Sequence, residues 1–183
     1  MIISGQESPK KRQPAVAGRF YPDHREALVR ELETHIDRNA KKSRVIGIVA
    51  PHAGFIYSGN VAGSVYSRIE IPDTVILIGP NHTGHGEQVA VMTEGAWSMP
   101  MGDIAIDREL AKAICEETVI AKQDSSAHQF EHSLETQLPF LQYFKNKFKI
   151  VPICIKRLKL SSCKSLSEGI VRALKRFDKP VLL

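Results

Sequence analysis

The sequence predicts an α/β fold, a mostly parallel sheet with helices on both faces, and three observations carry that expectation. Short Val- and Ile-rich runs alternate with stretches whose apolar residues recur at helical spacing, as in strands joined by crossover helices. A ten-residue pattern occurs twice without a gap. Val45-Ile46-Gly47-Ile48-Val49-Ala50-Pro51-His52-Ala53-Gly54 is matched by Val75-Ile76-Leu77-Ile78-Gly79-Pro80-Asn81-His82-Thr83-Gly84, with Val, Ile, Ile, His and Gly in register. The offset from Val45 to Val75 is thirty residues, about the length of one βαβ unit.

The elements follow in order. Residues 1–13 read as a mobile basic tail carrying Lys10, Lys11 and Arg12, and residues 14–183 as a single α/β domain. Asp23 is placed as the N-cap of a helix reaching Arg38, with Leu28, Leu32 and Ile36 on one face. Val45 to Ala50 is the first strand. Gly59 to Ile69 is a helix whose small residues suit close packing on a sheet, and Thr74 to Ile78 is the second strand, giving β-α-β with a right-handed crossover.

Gln88 to Met92 is a further strand, and Trp97 to Met101 reads as an irregular excursion. Asp107 caps a helix to Glu117. From Glu131, the spacing of Leu134, Leu138 and Leu141 predicts a helix that Pro139 must kink or divide. Ile150 to Ile155 is a strand, Ser161 or Ser162 opens a helix to Phe177, and Pro180 to Leu183 begins another strand. An apolar strand with no turn or cap after it predicts a chain truncated at its C-terminus.

Composition narrows the function classes. The formal net charge is +5, but the basic residues are dispersed and form no stripe interleaved with aromatics, which argues against nucleic acid as partner. No apolar run approaches the roughly 20 residues needed to cross a bilayer. The start lacks the apolar stretch of a secretory signal, so no membrane association and a cytoplasmic location are expected. Cys115, Cys154 and Cys163 lack metal-type spacing, and Cys115 and Cys154 read as small core residues.

The chemistry is expected where the repeated runs end. Were both strands neighbours in one parallel sheet, about 4.8 Å apart, His52 and His82 would stand above the same carboxyl edge, where open α/β sheets place ligands. Two imidazoles make half of a metal site for iron, copper, zinc or nickel. A third ligand is still required, and Glu131, Glu135, His132, His85 and His128 all remain open as local candidates. His132 and Glu135 lie three apart, hence on one helical face, where His132 is open to an acid or base role or to orienting a metal-bound imidazole. Glu131 is read as helix capping and dipole compensation. Tyr57, Asn81 and His85 are possible cleft residues.

Several of these segments also resemble one known family. Ala15-Val16-Ala17-Gly18-Arg19-Phe20-Tyr21-Pro22, the Ala50 to Gly54 turn, Gly79-Pro80-Asn81-His82, the Trp97 to Asp107 stretch and Glu131-His132-Ser133-Leu134-Glu135 resemble, in that order, the motifs of the Memo family. The resemblance runs from about Pro14 to Leu183 and implies a fold similar to class III extradiol dioxygenases, the LigB-like enzymes that use non-haem iron(II). It implies that His52 and His82 are metal ligands for iron(II) or copper. A third ligand, cysteine or carboxylate, and a Ser-Asp…His motif are implied in a later segment, so the chain is expected to be the N-terminal two-thirds of a longer domain. It also implies redox or dioxygenase-type chemistry on a small-molecule substrate, or a binding module for a partner peptide such as a phosphotyrosine segment. Radical-SAM and AMMECR-type proteins are the partners it suggests.

Overall fold

The computed structural model describes residues 11–183. In chain order the elements are β1 (Lys11–Arg12), α1 (Arg25–His35), α2 (Phe55–Tyr66), β2 (Thr74–Pro80), β3 (Val89–Val91), β4 (Ala96–Trp97), β5 (Ile104–Ile106), α3 (Arg108–Glu117), β6 (Ala121–Gln123), α4 (Leu138–Phe144), β7 (Lys149–Ile155), α5 (Leu160–Leu174) and β8 (Val181–Leu182). At the centre, β2 and β7 pair in parallel from Thr74 opposite Lys149 to Pro80 opposite Ile155. Both are apolar runs, the composition a strand takes when both its faces are covered. Val75, Ile76, Ile150, Val151 and Ile153 are buried accordingly.

The sheet order is β1-β4-β5-β7-β2-β8, with β3 on the far half of β7 and β6 on β3. Pairing is parallel except for β4 with β5 and β3 with β7. Helices α1, α2 and α4 pack together, and α3 packs against α5. Ile76 and Ile78 of β2 line an apolar cavity with Leu166 and Ile170 of α5, while Tyr66 of α2 and Leu141 of α4 share another with Val75 and Leu77. The fold is therefore α/β with helices on both faces of a mostly parallel sheet. Among the described residues no helix is long and apolar enough to cross a membrane.

Several elements depart from expectation. Val45 to Ala50 forms no assigned strand: Leu183 N–H donates to the Ile46 carbonyl and Ile48 N–H to that of Leu183, a parallel pattern at one position. Its neighbour β8 reaches only Leu182, opposite Val75. Ile46 and Val49 stay 88% and 94% exposed. The two repeat segments are thus not adjacent, because β8 lies between them. Beyond Val75 that edge of β2 borders a cavity of about 280 Å³ lined by Ile48, Ala50 and His52.

The tail also differs. Residues 1–10 lie outside the described residues, but Lys11 and Arg12 form β1 on β4, and the Arg12 side chain is buried. α1 starts after His24 rather than Asp23, and α5 after Lys159 rather than at Ser161 or Ser162. The small residues of α2 serve a helix, not the sheet: a Cβ on Gly63 would meet the His35 carbonyl oxygen of α1 at 2.2 Å. Asp107 caps α3 as expected, accepting from Leu110 N–H at 3.2 Å. Pro139 divides its segment: Glu135–Gln137 is 3₁₀, and α4 begins at Leu138 with the proline in its first turn, where no intrahelical donor is missed.

Candidate metal centre

His82 lies two residues beyond β2, where Asn81 N–H still bonds to the Ile155 carbonyl of β7 and fixes the exit of the chain. The Asn81 side chain then builds the loop: its Oδ1 accepts from Gly84 N–H and the Thr83 hydroxyl, and its Nδ2 donates to the His85 carbonyl. His52 arrives from the other side, on the segment leading into α2, with Gln137 Nε2 donating to the Pro51 carbonyl. The rings of His52 and His82 stand 5.3 Å apart between centroids. A third imidazole joins them, since His132 is 4.6 Å from His82 and 6.1 Å from His52.

Glu131 organises this cluster. Its carboxylate is fully buried and accepts from His82 N–H, from His82 Nδ1 at 2.9 Å, from His132 N–H at 2.8 Å and from Ser133 N–H at 2.9 Å. A carboxylate can only accept here, so Nδ1 of His82 carries the proton and its Nε2 keeps a lone pair. Burial alone would raise the Glu131 pKa. The His82 ring and the three backbone donors outweigh it and hold the carboxyl at about 2. Burial first, then the neighbouring His82, lowers the pKa of His52; burial likewise lowers that of His132, against the pull of Glu131. Both changes favour the neutral form that binds metals.

The segment holding Glu131 is tied down from beneath. Arg12 donates to the carbonyls of His128 at 2.8 Å and Glu131 at 2.6 Å, pairs with Glu135, and lies 4.1 Å from the Trp97 ring. Glu135 also accepts from Ala15 N–H, Val16 N–H and the Tyr21 hydroxyl. From the opposite side, Ser133 donates to the Pro80 carbonyl at 2.8 Å. A Cβ on Gly79 would lie 2.7 Å from a Leu134 methyl and 2.9 Å from Ser133 Oγ, so only glycine lets the two segments come this close without a shift.

The sequence-derived candidates therefore separate. His52, His82 and His132 converge. Glu135 does not share a helical face with His132, because residues 131–134 are not helical, and it is buried in the Arg12 network instead of facing the cleft. Tyr57 is 85% exposed on α2. Asn81 shapes its loop, and exposed His85 gives that loop a carbonyl. His128 is sealed in the core against Cys154 and Trp97. Glu131, read from sequence as a cap, does accept from the N–H groups of His132 and Ser133 and also holds the His82 ring. Arg12 gave no signal in the sequence, since its partner Glu135 lies 123 residues away.

The donor set fits a metal. Neutral imidazoles suit iron, copper, zinc and nickel, and a buried carboxylate on the far ring nitrogen is the usual support of a metal-bound histidine. One ligand atom each from His82, Glu131 and His132 lies within 4.8 Å of the others, a group that does not include His52.

The profile of the Memo-like protein family matches residues 12–183. A MEMO1 family protein of Archaeoglobus fulgidus is 41% identical over 172 residues, covering 94% of this chain and 64% of its own length. The MEMO1 family protein of Aquifex aeolicus is 42% identical over 174 residues, covering 94% and 65%, and that of Methanobrevibacter smithii is 39% identical over 183 residues, covering 92% and 65%. The chain spans a little under two thirds of the length of these relatives.

Proposed function

The chain belongs to the Memo family, and on that premise we propose that it carries the histidine half of a LigB-like, non-haem metal centre for redox or dioxygenase-type chemistry on a small molecule in the cytoplasm. His52 and His82 are the proposed ligands, iron(II) or copper the proposed ion. One observation supports this most: two imidazoles from separate chain segments stand 5.3 Å apart between centroids, and a buried carboxylate fixes the tautomer of one. A bound ion would supply a Lewis acid with positions open to a small molecule. The residues of this chain orient and shelter it. Glu131 presents His82 Nε2, Gln137 ties down the turn bearing His52, and His52 lines the cavity beside β2.

Anaerobic titration of iron(II) or copper into the protein tests the proposal. Affinity is expected to fall strongly in both His52→Ala and His82→Ala; unchanged affinity in both overturns it. A second reading is recognition of a partner peptide in the same cleft without turnover; α2, which follows the turn bearing His52, exposes Ile56, Tyr57 and Val61. Radical-SAM and AMMECR-type proteins are the partners to try. Partner binding that survives replacement of both histidines favours that reading.

A further inference from the structure

We propose that Tyr66 is the positioning residue for His52: through the Gln137 amide it sets the turn that carries this imidazole. This role rests on the reading of His52 as a ligand given above and deepens it. The two histidines are held unequally. His82 is gripped by Glu131 at both its ring and its backbone N–H. Among the described residues no hydrogen bond reaches the His52 ring. Between the Ile48 N–H and the Ala53 carbonyl the chain has one such tie, from Gln137 Nε2 to the Pro51 carbonyl at 3.0 Å.

The direction in which the amide points decides whether that tie exists. Gln137 Nε2 also faces the Ser133 carbonyl at 3.4 Å and the Thr136 hydroxyl at 3.3 Å, and carbonyls only accept, so the amino group belongs on this side. Oε1 is left to the other side, where the Tyr66 hydroxyl donates to it at 2.9 Å. Both side chains are buried, and burial pushes the Tyr66 pKa up, so the hydroxyl keeps the proton it donates. Tyr66 is the last residue of α2, the helix that follows the His52 turn, and its ring is stacked on Phe140 of α4 at 5.4 Å. The packing of two helices thus fixes the hydroxyl. Tyr66, Gln137 and His52 line the same cavity beside β2. Without the hydroxyl, Oε1 would be buried with no donor, which favours turning the amide and losing the Pro51 tie.

Long-range proton–nitrogen NMR of the protein with isotope-labelled histidine tests the role without any metal, with the rings assigned from His52→Gln and His82→Gln. In Tyr66→Phe the His52 ring signals should shift or broaden while those of His82 stay in place. Copper(II) should bind about tenfold more weakly in chelator competition, the low end of the cost of losing an outer support of a metal. Tyr66→Phe combined with Gln137→Met leaves neither partner unpaired, so its urea unfolding should return toward that of the unmodified protein. His52 should nevertheless stay displaced, because the Pro51 tie is still missing. Unchanged His52 signals in either variant, or His52 and His82 signals that move alike, overturn the inference. Should one variant fail to fold, the other decides. The metal reading fails separately: if copper(II) affinity is unaltered in both His52→Ala and His82→Ala, that reading falls, and the NMR result still decides on Tyr66.

Discussion

At the scale of single residues, the site depends on two buried charges. Glu131 is expected to matter through its charge: Glu131→Gln keeps the shape but removes the anion that holds His82 Nδ1–H, and metal affinity should drop about 10–100-fold in a chelator competition. Arg12 works by holding the segment in place. Arg12→Met strands the Glu135 carboxylate in the core and should cost about 3–5 kcal/mol in urea unfolding, the usual cost of removing one partner of a buried pair. His128 gives the pH dependence. It lies sealed between Trp97 and Cys154, with Nε2–H donating to the Ala90 carbonyl and Nδ1 facing the Cys154 thiol, which burial keeps protonated. Burial lowers its pKa from 6.5 to about 4. The unfolded chain takes up a proton below 6.5 and the folded one does not until about 4, so this contribution is intact above pH 6.5 and declines as pH falls toward 4. The loss is on the order of 3 kcal/mol at about 1.4 kcal/mol per unit. Unfolding midpoints at pH 7 and pH 5 should converge in His128→Gln; an equal separation in both proteins refutes the assignment.

At the scale of elements, close approach decides which segments meet. Gly63 brings α2 onto the His35 turn of α1, and the atom it spares is backbone, which cannot swing aside. Gly63→Ala should therefore destabilise the fold by about 1–3 kcal/mol, the range for overpacking. Gly79 does the same between β2 and the Glu131 segment, but against side-chain ends. Gly79→Ala should lower metal affinity more than stability, a split that separate titration and unfolding experiments would resolve. The elements legible in the sequence were those with a long period or a cap: β2 and β7 as apolar runs, α3 with its Asp107 cap, and the break at Pro139. β1, β4, β5 and β6 are two or three residues long, too short to express alternation. Val45 to Ala50 has the composition of a buried strand, and its Ile46 carbonyl and Ile48 N–H both bond to Leu183, the last residue of the sequence.

At the scale of the whole molecule, the sheet brings distant parts of the sequence to one edge. β2 delivers His82, the segment beside β8 delivers His52, and the stretch before α4 delivers Glu131 and His132, three arrivals spread over residues 52–132. The repeated Val-Ile…His-Gly pattern announced the first two, although their strands prove not to be neighbours. It could not announce the third, because the contact of His132 with His82 comes from a non-helical turn that helical spacing misread. The Arg12–Glu135 pair that supports this turn was invisible for the same reason: long-range pairing leaves no local period.

His52 and His82 are proposed to hold one metal ion between them. Crystals of the protein grown anaerobically with iron(II) or copper, with anomalous diffraction recorded at the metal's absorption edge, test it most directly. A single peak within bonding distance of Nε2 of His82 and of the His52 ring is the predicted result. A fully occupied ion elsewhere, with the two imidazoles unligated, would contradict it.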